Sequence, residues 1–452
     1  LVTGYDFLAK TAVAVEAELE AGLGQPIQTL ITAGGVPPTD PASWTADQLR
    51  AALLNSGRHD LVFLAGHFSG NSALAADYAT RVLASEVAAS STDFVNAIIF
   101  SAGCHSGYNI VDPDSTSATL QPDWAQAFAR KQATLIAGTG YQYGDTDFIY
   151  YSERLYLNFS QELRRGTGPV SVGEALVRAK QAYLTSTGPT RGIHEKAYLI
   201  TALFGLPMLS VDMPGDRLSG GGEPSIVGGT TPAGAGTPGA ALGLETADVT
   251  ITPDLTLVTK TVTTPSGSAI ASYFVSPDGA VVNPAEPALP LDLNNVTVDG
   301  MVLRGVGLWQ GSYTDLPGRR PLVSEAVFDL TDTRPEFASD VHYPIRPWRV
   351  SYFDALANAG GATQLMFTPA QFISSGLGSP VGTLRRWDSA TVRLFYSDHV
   401  AASPNGANQP ALSAPPALAR VDSTVSGGQI HFAVRVTVDP SAGAQAVWVN
   451  YT

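Results

Sequence analysis

The chain has 452 residues, 44% hydrophobic and 15% charged, with 45 glycines and 31 prolines. Such a length exceeds one hydrophobic core and predicts two to four domains, while the apolar content excludes a disordered polymer. A formal charge of −14 without a Lys/Arg cluster argues against nucleic acid as a partner, and the single cysteine excludes an internal disulfide or a cysteine-based zinc site.

In chain order, LVTGYDFL reads as a strand leading into a helix over 10–22. IQTLITAG is a short apolar run, followed by a helix beginning near Trp44. HDLVFLAGH has the pattern of a buried strand and ends in Gly66-His67; an unbroken helix over 72–88 is predicted after it. NAIIFSAGC is the next buried strand and ends in Gly103-Cys104. A helix over 123–131, the strand ATLIAGTG and a helix near 148–163 follow. The helix VGEALVRAKQAYL and a last strand ALFGLPMLSV complete the unit, which is assigned to residues 1–213. Continuous apolar strands alternating with helices predict an α/β fold, a mostly parallel sheet covered on both faces.

Residues 214–244 are dominated by Gly, Pro, Thr and Ser and read as a linker. From 245 to 402, alternating β-branched residues punctuated by Pro-Asp-Gly-type turns predict all-β, sandwich-type structure. A Pro-rich break, SPNGANQPALSAPPALA, introduces a final segment, 403–452, whose strands read as a partial immunoglobulin-like module. No run approaches the roughly 18 apolar residues of a membrane helix. The acidic, Thr/Ser/Gly-rich composition points to an extracellular or cell-surface location. The opening LVTGYDFL reads as the interior of a longer precursor, so the lack of a signal segment does not argue for the cytoplasm.

In an open parallel sheet, ligands bind beyond the carboxyl ends of the strands. His67 and Cys104 end two consecutive strand candidates, and their 37-residue separation matches one strand–helix–strand unit. Neighbouring strands would bring both side chains to one edge of the sheet. The pair suits cysteine catalysis: a thiolate attacks a carbonyl carbon, and an imidazole takes and returns the proton. Backbone amides of Cys104 and Phe68 are the candidate oxyanion donors. Small residues on both sides (Gly66, Gly70, Ala102, Gly103, Ser106, Gly107) let a substrate backbone approach. The alternative for Cys104 is an inert buried thiol. His105, next along the chain, points away and reads as a packing residue. His194 is placed in the loop before the last strand, with no named partner. No G-x-S-x-G elbow and no P-loop occurs. No metal site is expected, apart from a structural Ca²⁺ in the acidic loop VDPDSTS, and no organic cofactor is needed.

A strand ending in Gly-His, followed one unit later by a strand ending in small-small-Cys, resembles the caspase-like clan of cysteine peptidases, within it the gingipain-type group. SVGEALVRAKQAYL resembles the helix before that group's last strand, and YLITALFGLPMLSV resembles its Leu-Phe-Gly-Asp-Pro closing strand. The likeness covers roughly residues 1–212. Two departures stand out: Phe68 occupies the position after the histidine where the family usually has Gly, and Leu206 stands where Asp usually precedes Pro. The resemblance implies a caspase-like sheet and a Cys104–His67 dyad acting on protein or peptide substrates. It also implies a buried acid in the specificity pocket, selecting Arg or Lys. Asp6 sits at the correct sheet edge for that acid, with helix capping as its plain alternative. Asp145 and Asp147, after TGYQYG, compete with it; Tyr141 is a candidate pocket wall, and Trp124 reads as an anchor. The expected function is an extracellular cysteine endopeptidase. The rival is a catalytically silent scaffold in a cell-surface adhesion or assembly protein, favoured by the β-rich second half and by Phe68.

Overall fold

The computed structural model describes residues 1–109, 122–187, 192–219, 225–226, 229–235, 244–327, 333–357, 361–398, 400–402, 408–410 and 417–437. The apolar runs seen in the sequence form the centre of a six-stranded sheet. Strands β1 (Val2–Gly4), β2 (Thr29–Ile31), β3 (Leu61–Leu64), β6 (Ile98–Ser101) and β7 (Thr134–Gly138) lie in the order β2-β1-β3-β6-β7. All four of these pairings are parallel, and the strand Thr201–Phe204 closes the far edge antiparallel to β7.

Alternate residues of the central strands go to opposite faces, as a strand's two-residue period requires. Val62, Leu64, Ile99 and Leu135 join one core with Trp44, Leu49, Val87, Trp124 and Phe128. Those residues come largely from α2 (Ala46–Arg50), α3 (Ala84–Ala89) and α4 (Trp124–Arg130). Leu61, Phe63, Ile98, Phe100 and Ile136 join the other core, under α1 (Ala9–Leu23), α5 (Ser152–Leu163) and α6 (Val172–Ser186). Burial on both faces explains why these strands read as continuous apolar runs. Local signals set the helix ends: Asp123 accepts the Gln126 amide at 2.7 Å to cap α4, and Gly24 ends α1 at φ 68°.

Three expectations are corrected. The stretch 72–88 is no single helix: it forms a hairpin of β4 (Ser72–Leu74) and β5 (Arg81–Leu83), followed by the short α3. Its Ala-rich composition suits a helix, but Asp77 accepts the amides of Ala79 and Thr80 and the Thr80 hydroxyl at 2.7–3.0 Å, fixing a turn instead. The closing segment is not one strand either. It breaks at Gly205, whose φ of 136° excludes a side chain, and resumes as Ser210–Val211 paired with Val170–Ser171. His194 lies in a helix, α7 (Ile193–Ile200), rather than in a loop, and it is fully buried. Its Nδ1 meets the Tyr183 hydroxyl at 2.8 Å and its Nε2 meets the Val282 carbonyl at 3.0 Å, so it has partners in both halves of the chain.

The start of the Gly/Pro-rich segment packs on the α/β part. The amides of Gly215, Asp216 and Leu218 donate to Gly22, Ala21 and Arg164 carbonyls at 2.8–2.9 Å. Beyond it, strands Glu245–Ile251, Gly382–Asp398 and Met301–Arg319 form an antiparallel sheet. A second sheet joins Asp292–Asn295, Gln364–Phe367 and Trp348–Ser351. Ala247, Val249, Ile251, Val392, Leu394 and Tyr396 of the first sheet share a core with Leu365 and Phe367 of the second. Toward the end of the chain the described residues show a short pairing of Val400–Ala402 with Asn408–Pro410 and a longer hairpin, Ala417–Ser426 with Gln429–Thr437. The candidate Ca²⁺ loop, 111–117, lies outside the described residues. Among the described residues no helix is long and apolar enough to cross a membrane, and no cluster of three His, Cys, Asp or Glu side chains is arranged around a metal position.

Candidate functional site

Strand register builds the site. Thr3 pairs with Leu64, Leu64 with Ser101, and Ser101 with Ala137. Three residues beyond each of the first three stand Asp6, His67 and Cys104, at the carboxyl edge of three adjacent strands. The offset of 37 between β3 and β6 is the separation of His67 from Cys104, so the two strand ends emerge at one level.

Tyr5 fixes the His67 end. Its hydroxyl accepts the His67 amide at 2.9 Å and donates to the Leu74 carbonyl at 2.7 Å, and its ring meets the imidazole edge-on at 5.5 Å. Gly66 must be glycine there, because a Cβ would lie 2.6 Å from the Tyr5 ring. The imidazole Nε2 lies 3.2 Å from Asp6 Oδ2 and 3.0 Å from the Tyr78 hydroxyl, which is itself 2.8 Å from Asp6 Oδ2. The His67 contact, with that of Tyr78, holds the Asp6 carboxyl below the usual range against the burial that opposes it. Asp6 adopts φ 56°, a left-handed conformation uncommon outside glycine, to present its carboxylate there.

Cys104 is partly buried, and that burial pushes its thiol pKa up. Its Sγ accepts the Gln142 amide at 3.4 Å and faces the Gln142 carbonyl at 3.7 Å, so the sulfur is engaged by the loop after β7. The Gln142 side chain is anchored in turn: its Nε2 donates to the buried Tyr156 hydroxyl at 3.1 Å. Phe68, the departure beside His67, lies over Gly103, where a Cβ would fall 2.3 Å from its ring. Its ring also packs 5.5 Å from Trp124, so it leans toward the core rather than into water. Among the described residues, the amides of Phe68 and Cys104 donate to no carbonyl of another residue.

The other sequence candidates are distributed differently. Tyr141 is exposed and packs edge-on against His105 at 4.5 Å. Trp124 is buried and donates to the Ser69 carbonyl at 3.0 Å, anchoring the hairpin's approach. Asp145 and Asp147 make their side-chain contacts at the junction with the β-rich part. Asp145 accepts the Ser324 hydroxyl at 2.7 Å, and burial pushes its carboxyl up. Asp147 pairs with Lys260 and, at 2.5 Å, with Arg334, which also reaches Glu325 at 3.1 Å. Lys260 and Arg334 hold Asp147 low despite its burial. Beneath this loop Glu153 is buried, accepting Thr11 at 2.7 Å and the Asp145 amide at 3.2 Å; burial pushes it up to about 8. A cleft of about 520 Å³ opens between the two parts, lined by Asp6, Phe7, Thr146, Lys260, Glu325 and Arg334 among others.

Sequence reasoning missed Tyr78, Gln142 and Arg334. An Asp-Tyr step in an Ala-rich stretch was the available signal for the turn that carries Tyr78. Asp6 was readable as a strand-end residue, like His67 and Cys104, but its contact with the imidazole was not: the sequence offered it as a pocket acid or a helix cap.

No family model and no curated protein matches the chain. Solved structures similar to it include the complex of Porphyromonas gingivalis RgpB pro- and mature domains, at 17% identity and TM-score 0.28, covering 41% of this chain and 90% of that chain. Gingipain K from Porphyromonas gingivalis, in a structure addressing zymogenic latency, matches at 11% identity and TM-score 0.26, over 34% and 87% of the two chains. The Arg-specific cysteine proteinase gingipain R matches at 14% identity and TM-score 0.34, over 61% of this chain and 58% of that one. Likeness at this level leaves the chemistry of the site to its own residues.

Proposed function

We propose that this chain is a caspase-like, gingipain-type cysteine endopeptidase that acts on extracellular or cell-surface protein substrates. The observation that carries the proposal is the common level of Asp6, His67 and Cys104 at the carboxyl edge of β1, β3 and β6, with Asp6 hydrogen-bonded to the imidazole. Cys104 is the nucleophile, His67 the acid/base and Asp6 the group that orients it.

With Nε2 engaged by Asp6 and Tyr78, Nδ1 is the nitrogen left to take the thiol proton. Burial favours the protonated thiol, and the sulfur rests against the Gln142 carbonyl, so transfer of the thiol proton to His67 precedes attack. The thiolate then adds to the scissile carbonyl, and the amides of Phe68 and Cys104 receive the oxyanion. The imidazolium gives its proton to the leaving amine, and water, deprotonated by His67, releases the acyl group from sulfur. Asp6 stabilises the imidazolium through both steps. Asp6, Asp145 and Asp147 are each committed to partners within the chain, so none is assigned as the acid selecting Arg or Lys.

Peptidyl acyloxymethyl ketones carrying Arg, Lys, Asp or Asn beside the warhead test this reading. Labelling of Cys104 that vanishes in Cys104→Ala and His67→Ala supports it. The second reading, a silent scaffold, is favoured by the sulfur's engagement with Gln142. It prevails if no probe reacts and iodoacetamide reaches Cys104 only after unfolding.

A further inference from the structure

The Asp6–His67 contact has a third member that a cysteine–histidine mechanism does not by itself demand. The Tyr78 hydroxyl stands 2.8 Å from Asp6 Oδ2 and 3.0 Å from His67 Nε2, closing a three-membered ring of hydrogen bonds with the 3.2 Å Asp6–His67 contact. We propose that Tyr78 is a positioning residue for His67: its hydroxyl fixes the Nε2–H tautomer and leaves Nδ1 as the basic nitrogen.

Donor counting leads there. An ionised carboxylate only accepts, so the Tyr78 proton points to Asp6. The phenol oxygen then accepts, and the one proton of a neutral imidazole must sit on Nε2, the nitrogen facing both Asp6 and Tyr78. Asp6 alone would pull a proton to Nε2 through one long contact. Tyr78 adds a second acceptor and holds the carboxylate with a donor, so the imidazole plane is held from two directions. Burial and the adjacent carboxylate keep the phenol proton in place beyond the ordinary tyrosine range.

The fold invests local structure in this placement. Tyr78 adopts φ 53°, in the left-handed region, at the tip of the β4–β5 hairpin. The turn is held by the Asp77 carboxylate, by the Asp77 amide on the Trp44 carbonyl at 3.2 Å, and by Thr80 Oγ1 accepting the Ala46 amide at 2.8 Å. Edge-on contacts with Tyr5 at 5.8 Å and His67 at 5.5 Å orient the phenol ring, while 41% of the residue stays exposed. A tyrosine kept only for packing would not have its hydroxyl on both members of an acid–imidazole pair.

The inference rests on the peptidase reading for its catalytic consequence, but its geometry does not, and the test separates the two. Tyr78→Phe keeps the ring and removes the hydroxyl. In protein with ¹⁵N-labelled histidine and ¹³C-labelled aspartate on a Cys104→Ala background, wild-type Tyr78 should show His67 as the Nε2–H tautomer. Tyr78→Phe should mix the tautomers and move the Asp6 carboxyl titration to higher pH, because a donor to the carboxylate is gone. With Cys104 present, kcat should fall on the order of tenfold, the loss of one hydrogen bond to a charged group, with KM unchanged. Asp77→Ala, which frees the turn without touching the pair, should produce the same spectral changes. Unchanged His67 tautomer and Asp6 titration in both variants overturn the proposal, whatever the activity. A chain without peptidase activity that still shows the tautomer shift sinks the peptidase reading and keeps the positioning role.

Discussion

Two clusters in this molecule combine carboxylates, a cationic or basic partner and a hydroxyl, and they are built in opposite ways. At the sheet edge, Asp6, His67 and Tyr78 are each about one-third to two-fifths exposed. At the junction, Asp147 and Arg334 are nearly sealed, with side-chain exposures of 6% and 5%, and Ser324 and Asp145 are buried beside them. The edge cluster uses an imidazole, whose charge is conditional; the junction uses a guanidinium, whose charge is permanent. A group that must change protonation state during a reaction needs water and a soft partner. One that holds two parts of a chain together needs the reverse.

That contrast can be broken at either end. The largest expected effect is on activity: His67→Ala should lower kcat/KM by roughly 10²–10⁴-fold, the usual contribution of a positioned acid/base. Its melting temperature should barely move, and a large loss of stability would put His67 in the structural class instead. Arg334→Ala should do the opposite first, destabilising the fold by up to about 3–5 kcal/mol in urea titrations, because it takes one of two cations from the buried Asp147 and leaves Lys260 alone to hold it. A loss below about 1 kcal/mol would make the junction no different from a surface pair.

Glu153 sharpens the comparison through pH. Its folded pKa near 8 lies above the ordinary 4.5, so between those values the folded state holds a proton that the unfolded chain has released. Stability therefore falls as pH rises from 4.5 to 8, by at most about 1.4 kcal/mol per pH unit. Glu153→Gln should flatten that slope in denaturant titrations across the window, and an unchanged slope would remove Glu153 as its source. The smallest effect belongs to Asp6. Its folded pKa is depressed, so its contact with His67 contributes above the unfolded value and is lost as pH falls through the lower folded one. Being partly exposed, the contact should account for no more than about 1 kcal/mol. Asp6→Asn should accordingly melt like wild type at neutral pH while losing activity.

Much of the central sheet was readable because β3, β6 and β7 are buried on both faces, leaving continuous apolar runs that end in glycine and a reactive residue. Asp6 was readable as a strand-end residue, but its partner was not, because pairing depends on β1 lying beside β3 in the order β2-β1-β3. Tyr78 was hidden by composition: Ala73, Ala75 and Ala76 favour a helix, yet they are buried in β4 and in the turn that Asp77 and Thr80 hold. Arg334 could not be assigned at all, since its partner Asp147 lies 187 positions away. His194 gave no signal for the same reason, one of its contacts being 88 positions distant.

The loop after β7 has one further consequence. Gln142 touches the sulfur of Cys104, and five residues on, Asp147 is gripped by Arg334 and Lys260 from the β-rich part. The chain's single thiol is thus wired by a short tether to the joint between the two parts. A reagent that reads that sulfur also reads the joint: the rate at which Cys104 is modified becomes a gauge of docking, usable on the intact chain without an introduced label.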